Sequence, residues 1–559
     1  MGRPEPAGAM LRKLVCLIFC WLFIGPVWAE PEKPKLVVLI LVDQFRADYL
    51  ERFRQDFLPP RDAQGRPGGF LFLEREAAVH SRCFYDHWPT HTGVGHAAVS
   101  TGALPSVHGV VNNYWMDRET GRKVDVGRDS EQLLVGTEGR LQGSSPMRLE
   151  APTIGDAMKF HTGGKSKVFG VAIKDRASVL ATGRMADRAL WFESKTGDWV
   201  TSTYYGPLPD YVREVNESGW SETLHQEVWT PLLPLSRYSQ QRLKAQKGVY
   251  DNWASLGETF PHRLNGGKSQ PGPDSFEALT FSPQSLTGLF HMARLVVTNE
   301  GLGRDEIPDL MTVGVSTNDR VGHAFGPYSP EVHDITLRTD RELANFFRFL
   351  DSEIGLQDVL IVLTSDHGVA PVPEFSQRTR AMGGRISPEE IRAAVNQALS
   401  REFGAAEYVR GFYDPHLYFD FRRLTSAQVE RAEELAKSAV EKLEGVQYAL
   451  LASHIRQGRH LKTPLERRVS ASFFRGRSGD LVILPRPQWI VSFDEPKGTN
   501  HGSGWTHDTH VPLIVRGNGV PAGRYRQTCT PRDIAPTISE ILKMTPPAGS
   551  DGELLEWLR

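Results

Sequence analysis

The sequence predicts an α/β fold in which a largely parallel central sheet carries helices on both of its faces. Two observations support this class. Five short runs, rich in β-branched residues, are apolar almost throughout. Helical patterns such as TIGDAMKFH and TDRELANFFRFLDSEI lie between them. Strands of this kind are buried on both faces, as in a parallel sheet that is covered by helices.

Four of the five runs end in polar or charged residues. LVVLILVD ends at Asp43, KVFGVAIK at Lys174 and LMTVGVSTND at Asp319, while VLIVLTSDH ends at Asp366 and His367. The fifth run, HVPLIVRG, follows near the C-terminus. Because functional residues of such sheets collect at the carboxyl ends of the strands, we expect these side chains to meet in one site.

Length and composition are those of a large globular chain. The 559 residues are 40% hydrophobic and carry a formal net charge of -2, which gives no indication of a nucleic acid or an anionic membrane as partner. We expect one catalytic domain over residues 30–559, with two insertions on the rim of the sheet. The insertion at about 185–295 is rich in Trp, Tyr, Pro and Gly, and the one at about 373–490 contains the helical pattern SAQVERAEELAKSAVEKLEG.

Residues 1–29 have the pattern of a secretory signal peptide. Arg12 and Lys13 precede the apolar run LVCLIFCWLFIGPVWA, which ends at Ala29 in a small-residue cleavage pattern, and Met10 is an alternative start. The competing interpretation is a membrane anchor, but the run is shorter than the ~20 residues of a membrane span. We therefore expect a periplasmic or secreted protein without stable membrane insertion once the signal is removed.

Cysteine usage leaves one question open. Cys16 and Cys20 lie in the predicted signal, so that Cys83 and Cys529 remain in the mature chain. These two can pair in an oxidising compartment, but a sequence does not show whether they are close in space.

Several carboxylates and histidines are candidate metal ligands. They are Asp43, Asp319 with His323 in the pattern D-x-x-x-H, Asp366 with His367, and His501 in TNHGSGW. Carboxylate and imidazole together suit zinc, with open positions for water or substrate. Each pattern also occurs by chance, but their joint position at strand ends favours a metal site.

Thr92 precedes GVGHAAVS, which has the pattern of a helix start. A threonine at this position can cap the helix, and it can also act as a nucleophile on phosphorus. A helix N-terminus offers free N–H groups and a positive dipole end to a phosphate.

A longer series of motifs is found along the chain. In order, it consists of Asp43, PTHTGVGHAAVSTG, HGVVNNYW, IKDR, DRVGHAFGP, SDHG and NHGSGWTHDTHVP. This series resembles the alkaline phosphatase superfamily. It is most similar to the bacterial secreted alkaline phosphatases with a threonine nucleophile, which are relatives of the type I phosphodiesterases and nucleotide pyrophosphatases. The resemblance continues to DIAPTISEIL and so covers most of the mature chain.

The resemblance implies a phosphomonoester hydrolase with two zinc ions per chain and a covalent phosphothreonine intermediate. Thr92 would be the nucleophile. One zinc would be held by Asp43, Thr92, Asp366 and His367, and the other by Asp319, His323 and His501. His501 is preferred over His507 and His510 because its HG matches the ligand position of the family. His96 is interpreted as structural.

Three further residues correspond to substrate contacts in the family. Lys174 and Arg176 stand two apart after a predicted strand, a spacing that puts both side chains on one face. The resemblance implies that both contact the phosphoryl group, and that Asn113, rather than Asn112, donates to a phosphoryl oxygen. Extra cationic donors favour the dianion of a phosphate monoester over a diester.

Three other functions compete with this interpretation. A phosphodiesterase or nucleotide pyrophosphatase would share the metals, but such enzymes usually lack the Lys-x-Arg pair. A sulfatase is suggested by SSPMR at Ser144–Arg148, but Met147 and the following LEAPTIG break that pattern. A non-catalytic binding protein on the same fold is disfavoured by the complete ligand set with Thr92. The leaving group and the oligomeric state stay open.

Overall fold

The protein is described here from a computed structural model, which covers residues 1–2, 32–238, 253–378, 382–459, 462–492 and 497–559. The predicted signal peptide lies almost entirely outside these residues. Within them, no helix combines the length and the apolar composition that crossing a bilayer requires.

The strands are numbered in chain order. They are β1 Leu36–Val42, β2 Ala78–Phe84, β3 Tyr114–Met116, β4 Lys123–Asp125, β5 Arg128–Val135, β6 Gln142–Ser144, β7 Val168–Ala172, β8 Arg188–Glu193, β9 Asp198–Ser202, β10 Val228–Trp229, β11 His262–Arg263, β12 Asp309–Val315, β13 Val359–Thr364, β14 Gly384–Ile386, β15 Val409–Tyr413, β16 His416–Phe419, β17 Val446–Leu451, β18 Leu481–Pro485, β19 Trp489–Val491, β20 His510–Arg516 and β21 Gly523–Tyr525.

The α-helices are numbered in the same way. They are α1 Tyr49–Arg52, α2 Phe70–Glu76, α3 Thr92–Thr101, α4 Pro105–His108, α5 Ile154–His161, α6 Asp175–Thr182, α7 Asp210–Glu217, α8 Trp220–Thr223, α9 Pro273–Leu279, α10 Pro283–Glu300, α11 Thr317–Phe325, α12 Pro330–Glu353, α13 Pro373–Arg378, α14 Pro388–Phe403, α15 Ser426–Val440, α16 Ala452–Arg456, α17 Pro464–Ala471, α18 Thr506–Thr509 and α19 Ile534–Ile541.

An 11-stranded sheet forms the centre of the molecule, in the order β21-β2-β20-β13-β1-β12-β7-β8-β9-β5-β6. The five central strands from β13 to β8 run parallel, whereas β9 and β20 pair antiparallel with their inner neighbours. The predicted fold class is confirmed.

Both faces of this sheet are buried, as the apolar runs predict. In β1, Val38 and Ile40 join one apolar cluster with residues of α10 and α12, while Val37 and Leu39 join a second cluster with residues of α3 and α19. Since successive side chains of a strand point to opposite faces, only a run that is apolar at every position satisfies both clusters.

The two predicted insertions differ in the structure. The stretch at 185–295 begins within the central sheet, because β8 and β9 belong to it, so rim material starts only after β9. The stretch at 373–490 contains a separate four-stranded sheet, β15-β16-β18-β17, which has its own apolar cluster with α14 and α15.

The parallel register brings the predicted site residues to one edge. Val42 at the end of β1 pairs with Val315 at the end of β12, and Leu41 pairs with Thr364 at the end of β13. The residues that follow these three strands therefore leave the sheet side by side.

Candidate active site

Helix α3 begins at Thr92, against the end of β13. Its N-cap is His91, which has extended backbone angles, and Gly95 N–H donates the first helical hydrogen bond to the His91 carbonyl. A Cβ on Gly95 would lie 2.2 Å from the Asp366 carbonyl oxygen, so the close approach of helix and strand requires this glycine.

Thr92 is the first helical residue and not the cap that the sequence suggested. Its side chain makes no capping hydrogen bond, because the N-cap position belongs to His91. Thr92 Oγ1 instead lies 3.4 Å from His367 Nε2, and the residue is only 1% exposed. The hydroxyl thus faces the histidines of the site.

Asp319 lies at the centre of a group of three histidines. Asp319 and His323 are one turn apart on α11, His367 follows β13 and His501 precedes α18. Asp319 Oδ1 lies 3.3 Å from His323 Nε2, 3.6 Å from His501 Nε2 and 3.9 Å from His367 Nε2.

The three histidines present the same nitrogen to this centre. Each Nδ1 lies 2.8 Å from a backbone carbonyl oxygen, that of Thr499 for His323, Gly368 for His367 and Thr90 for His501. A carbonyl only accepts, so Nδ1 carries the proton and each ring turns its Nε2 toward the Asp319 carboxylate. This arrangement is typical of metal-binding histidines.

A second group contains Asp43, Asp366 and His96. His96 Nε2 lies 3.5 Å from Asp43 Oδ1, and its Nδ1 lies 2.9 Å from the Thr92 carbonyl. Asp43 Oδ1, Asp366 Oδ2 and His96 Nε2 are buried and have no hydrogen-bond partner among the described residues. Buried polar atoms of this kind need a partner, and a cation would supply one.

In each of two groups of side chains, the ligand atoms lie close enough together to share one metal ion. Asp319, His367 and His501 each offer one ligand atom, all within 4.8 Å of one another, and so do Asp43, His96 and Asp366. His96, which the sequence analysis interpreted as structural, thus lies among the candidate ligands. Its spacing of four residues from Thr92 on a helix was the available signal, since i and i+4 share a face.

The protonation states of Asp319 and His501 favour cation binding. Burial acts to raise the pKa of the Asp319 carboxyl, but the Lys174 ammonium and His323 outweigh it and hold that pKa well below its usual range. Burial lowers the pKa of His501 well below its usual range, and the nearby His367 adds to this effect. Ionised carboxylate and neutral imidazole are the forms that ligate metals.

Lys174 connects the two groups. Its Nζ lies 3.2 Å from Asp43 Oδ2 and 2.5 Å from Asp319 Oδ2. The expectation that Lys174 and Arg176 share one strand face is wrong, because β7 ends at Ala172 and α6 begins at Asp175, between the two side chains. Lys174 is the N-cap of α6, and Arg176 lies in the first turn of that helix.

Arg176 lines a cavity of about 440 Å³ that opens beside Thr92. The lining residues are His91, Thr92, Asn112, Asn113, Tyr114, Lys123, Arg176, Asp319, His323, Phe412, Tyr413, Asp414, Asn500 and His501. Arg176 Nε is buried and has no hydrogen-bond partner among the described residues. A guanidinium nitrogen of this kind is a ready donor to an anion in the cavity.

The two asparagines in NNYW have different surroundings. Asn112 Nδ2 donates to the Tyr413 and Asp414 carbonyls, at 3.2 and 2.7 Å, and so anchors the turn between β15 and β16. Asn113 Oδ1 accepts from Gly93 N–H at 2.7 Å, which leaves its Nδ2 as the donor. Among the described residues Asn113 Nδ2 has no acceptor, so its N–H groups are available to a ligand in the cavity beside Thr92.

Gln44 is a residue of the site that the sequence analysis missed. Its Nε2 donates to Asp319 Oδ1 and its backbone N–H to Asp366 Oδ1, both at 3.0 Å. Gln44 has a positive φ of 62°, which turns the chain sharply after β1. Its position directly after Asp43 at a strand end was the only signal in the sequence.

The neighbouring histidines lie outside the cluster. His507 Nε2 contacts Ser503 Oγ at 3.2 Å. His510 begins β20, stacks on Phe84 and contacts the Ser81 carbonyl at 3.1 Å. Of the three histidines near the end of the chain, His501 alone lies next to Asp319 in the described structure.

Comparison with known proteins agrees with these features. The family model of type I phosphodiesterase/nucleotide pyrophosphatase matches residues 37–510. Alkaline phosphatase PafA of Elizabethkingia meningoseptica is 33% identical over 530 residues, which cover 93% of this chain and 94% of that protein. A protein of Myroides odoratus named calcium-transporting ATPase is 32% identical over 551 residues, which cover 97% of this chain and 98% of that protein.

Solved structures of PafA are also similar to this chain. The crystal structure of wild-type PafA superposes with a TM-score of 0.85 at 32% identity, over 94% of this chain and 99% of that one. A second structure is a PafA variant with substitutions at one threonine, one asparagine, one lysine and one arginine, and it has a TM-score of 0.86.

Proposed function

The chain belongs to the type I phosphodiesterase/nucleotide pyrophosphatase family, and we propose that it hydrolyses phosphate monoesters as an alkaline phosphatase, with Thr92 as the nucleophile. The observation that carries this proposal is the position of the Thr92 hydroxyl. On one side it faces the cluster of carboxylates and histidines, and on the other side it faces the cavity that Arg176 and Asn113 line. Its relatives named alkaline phosphatase at about 30% identity support the same activity.

The proposed cofactors are two zinc ions. Asp43, Thr92, Asp366 and His367 would hold one, and Asp319, His323 and His501 the other. The uniform Nε2 presentation and the unpartnered carboxylate oxygens support these donors. His367 fits either ion by position, because its Nε2 lies 3.2 Å from Asp366 Oδ2 and 3.9 Å from Asp319 Oδ1. When bound, the ions would supply Lewis acidity, which favours ionised oxygen nucleophiles and neutralises charge on the phosphoryl group.

Thr92 would act in two steps. Its Oγ1 loses a proton to solvent and forms a bond to phosphorus, while the bond from phosphorus to the leaving oxygen breaks and that oxygen takes up a proton from solvent to leave as the alcohol. Water then forms a new bond to phosphorus and the Thr92 Oγ1–phosphorus bond breaks, which releases phosphate and restores the hydroxyl. Burial of Thr92 at the start of α3 fixes the hydroxyl, so little ordering is needed for in-line attack.

Asn113 and Arg176 would bind the non-bridging phosphoryl oxygens. The hydrogen bond from Gly93 N–H to Asn113 Oδ1 orients the amide, and its Nδ2 remains to donate. The unpartnered Arg176 Nε adds a charged donor. A monoester dianion presents more charge than a diester, so these donors favour the monoester.

Lys174 would act between the two ligand groups. Its contacts with Asp43 and Asp319 support a role in holding these carboxylates as well as in compensating charge near the phosphoryl group. The PafA variant supports the same four residues, because its substituted threonine, asparagine, lysine and arginine match Thr92, Asn113, Lys174 and Arg176 in order and nearly in spacing.

Export is part of the proposal. The pattern of residues 1–29 supports cleavage after Ala29 and a periplasmic or secreted enzyme, whose partners are small phosphate monoesters.

Parallel assays on the zinc-loaded protein test the function. We expect kcat/KM for an aryl phosphate monoester to exceed that for the methyl diester of the same aryl alcohol. The Thr92→Ala variant should keep its zinc content and lose nearly all turnover on both. Faster hydrolysis of the diester would favour the phosphodiesterase alternative, and a Thr92→Ala variant with wild-type rates would exclude Thr92 as nucleophile.

A further inference from the structure

Cys83 and Cys529 lie opposite each other in the described structure, although 446 positions separate them in the sequence. Cys83 is in β2 and is 0% exposed, and Cys529 precedes the 3₁₀ helix Pro531–Asp533. Two backbone hydrogen bonds fix the pair: Cys529 N–H donates to the Arg82 carbonyl at 3.1 Å, and Phe84 N–H donates to the Cys529 carbonyl at 2.9 Å.

The side chains of the pair also meet. The two thiols lie close enough for each to shift the pKa of the other. Backbones joined by a β-bridge lie ~4.8 Å apart, which is within the ~4.4–6.8 Å that separates the Cα atoms of disulfide-bonded cysteines.

The two sulfurs differ in reactivity. The hydrogen bond from Cys83 and the nearby His80 lower the pKa of Cys529 to about 7, although burial opposes them. Burial raises the pKa of Cys83 well above its usual range. A cavity of about 280 Å³, lined by Tyr85, Thr530 and Arg532 among others, reaches Cys529. Cys529 is therefore the thiol that an oxidant meets first.

We propose that Cys83 and Cys529 form a disulfide when the protein is in an oxidising compartment. The oxidant is a disulfide, either of a thiol–disulfide oxidoreductase or of a small molecule. Cys529 thiolate attacks one sulfur of it, which forms a mixed disulfide and releases one thiol. Cys83 then loses its proton and attacks Cys529 Sγ, which forms the Cys83–Cys529 bond and releases the second thiol. Two electrons and two protons pass to the oxidant.

The bond fastens the C-terminal segment to the sheet behind the nucleophile. The 3₁₀ helix Pro531–Asp533 and α19 directly follow Cys529, and both contact α3, the helix that begins with Thr92. The cross-link closes a loop of roughly 450 residues, so it removes much entropy from the unfolded chain. We expect it to act on stability and not on the chemical step.

Thiol counting on the unsubstituted mature chain, residues 30–559, tests the proposal without any variant, because Cys16 and Cys20 of the predicted signal are then absent from both samples. The protein is made once with a signal that exports it to an oxidising periplasm and once in a reducing cytosol, and each sample is denatured in acid and labelled with a maleimide. We expect no labelled thiol and a linked peptide containing both cysteines in the exported protein, and two labelled thiols in the cytosolic protein. Two labelled thiols in the exported protein would overturn the proposal.

Thermal unfolding gives the second measurement. A reductant should lower Tm of the exported protein by on the order of 5 °C, and the double variant Cys83→Ala/Cys529→Ala should have the lower Tm with or without reductant.

Single variants test the order of attack. With oxidised glutathione, Cys83→Ala should gain an adduct on Cys529, whereas Cys529→Ala should leave Cys83 unmodified. A Tm that does not respond to reductant, or an adduct on Cys83 alone, would contradict the assignment.

Discussion

Replacing Arg176 with alanine removes the guanidinium that lines the cavity beside Thr92. Its Nε has no hydrogen-bond partner among the described residues, so the substitution breaks no contact of that atom within the protein. A charge-assisted hydrogen bond to an anion contributes about 1.5–3 kcal/mol. If this contact is made mainly in the transition state, its loss lowers kcat/KM for a monoester by roughly tenfold to 150-fold.

A diester carries one fewer charged oxygen and should lose less. The Arg176→Ala variant should therefore shift the ratio of monoester to diester kcat/KM toward the diester, by roughly a factor of ten. The assay measures both substrates, with the same aryl leaving group, on zinc-loaded protein. Zinc content is determined on the same samples, because an intact metal site separates loss of substrate contact from loss of cofactor.

Arg128 provides the matched control. It lies near the start of α6, where its Nε is 3.3 Å from Asp175 Oδ2, but it does not line the cavity. Arg128→Ala should leave the substrate ratio unchanged, whatever its effect on stability. Equal losses on monoester and diester in Arg176→Ala would refute the reasoning, and the monoesterase assignment would lose its main support in the cavity.

Three further outcomes are expected. His367→Ala should lower the zinc content and the turnover together. The control variant His510→Ala alters a ring that stacks on Phe84 and should keep both. Full zinc binding in His367→Ala would contradict the ligand assignment. Chelation should abolish activity, and zinc should restore it better than magnesium, since these N/O ligands suit zinc. Burial raises the pKa of Asp414 to about 7, so this cavity carboxyl is neutral below pH 7 and repels an anionic substrate above it. Asp414→Asn should then raise kcat/KM roughly two- to fivefold at pH 9 and leave it unchanged at pH 5.5, and pH profiles that run parallel would contradict this.

The strands and the ligand types were predictable because their signals are local. Each apolar run is long enough to identify a buried strand, and the polar residue after it marks the strand end. Parallel strands necessarily share one carboxyl edge, so Asp43, Asp319 and Asp366 were expected to meet before any contact between them was known. The structure brings all three within one buried cluster.

Weaker local patterns were misjudged. β8 and β9 were assigned to an insertion because they fall in a stretch that is rich in Trp, Tyr, Pro and Gly. In the structure β8 pairs parallel with β7, β9 pairs antiparallel with β8, and both strands are almost entirely buried.

The sequence by itself determined which residues can ligate, donate or attack, since these properties belong to the side chains and to their place after a strand. The tertiary structure decided which of them act together. Lys174 lies between Asp43 and Asp319 whereas Arg176 lines the cavity, and His96 joins Asp43 because α3 packs against the strand ends. Cys83 meets Cys529 because β2 pairs with a segment from the other end of the chain. Each of these contacts depends on how distant segments approach, and a local sequence pattern carries no measure of that approach.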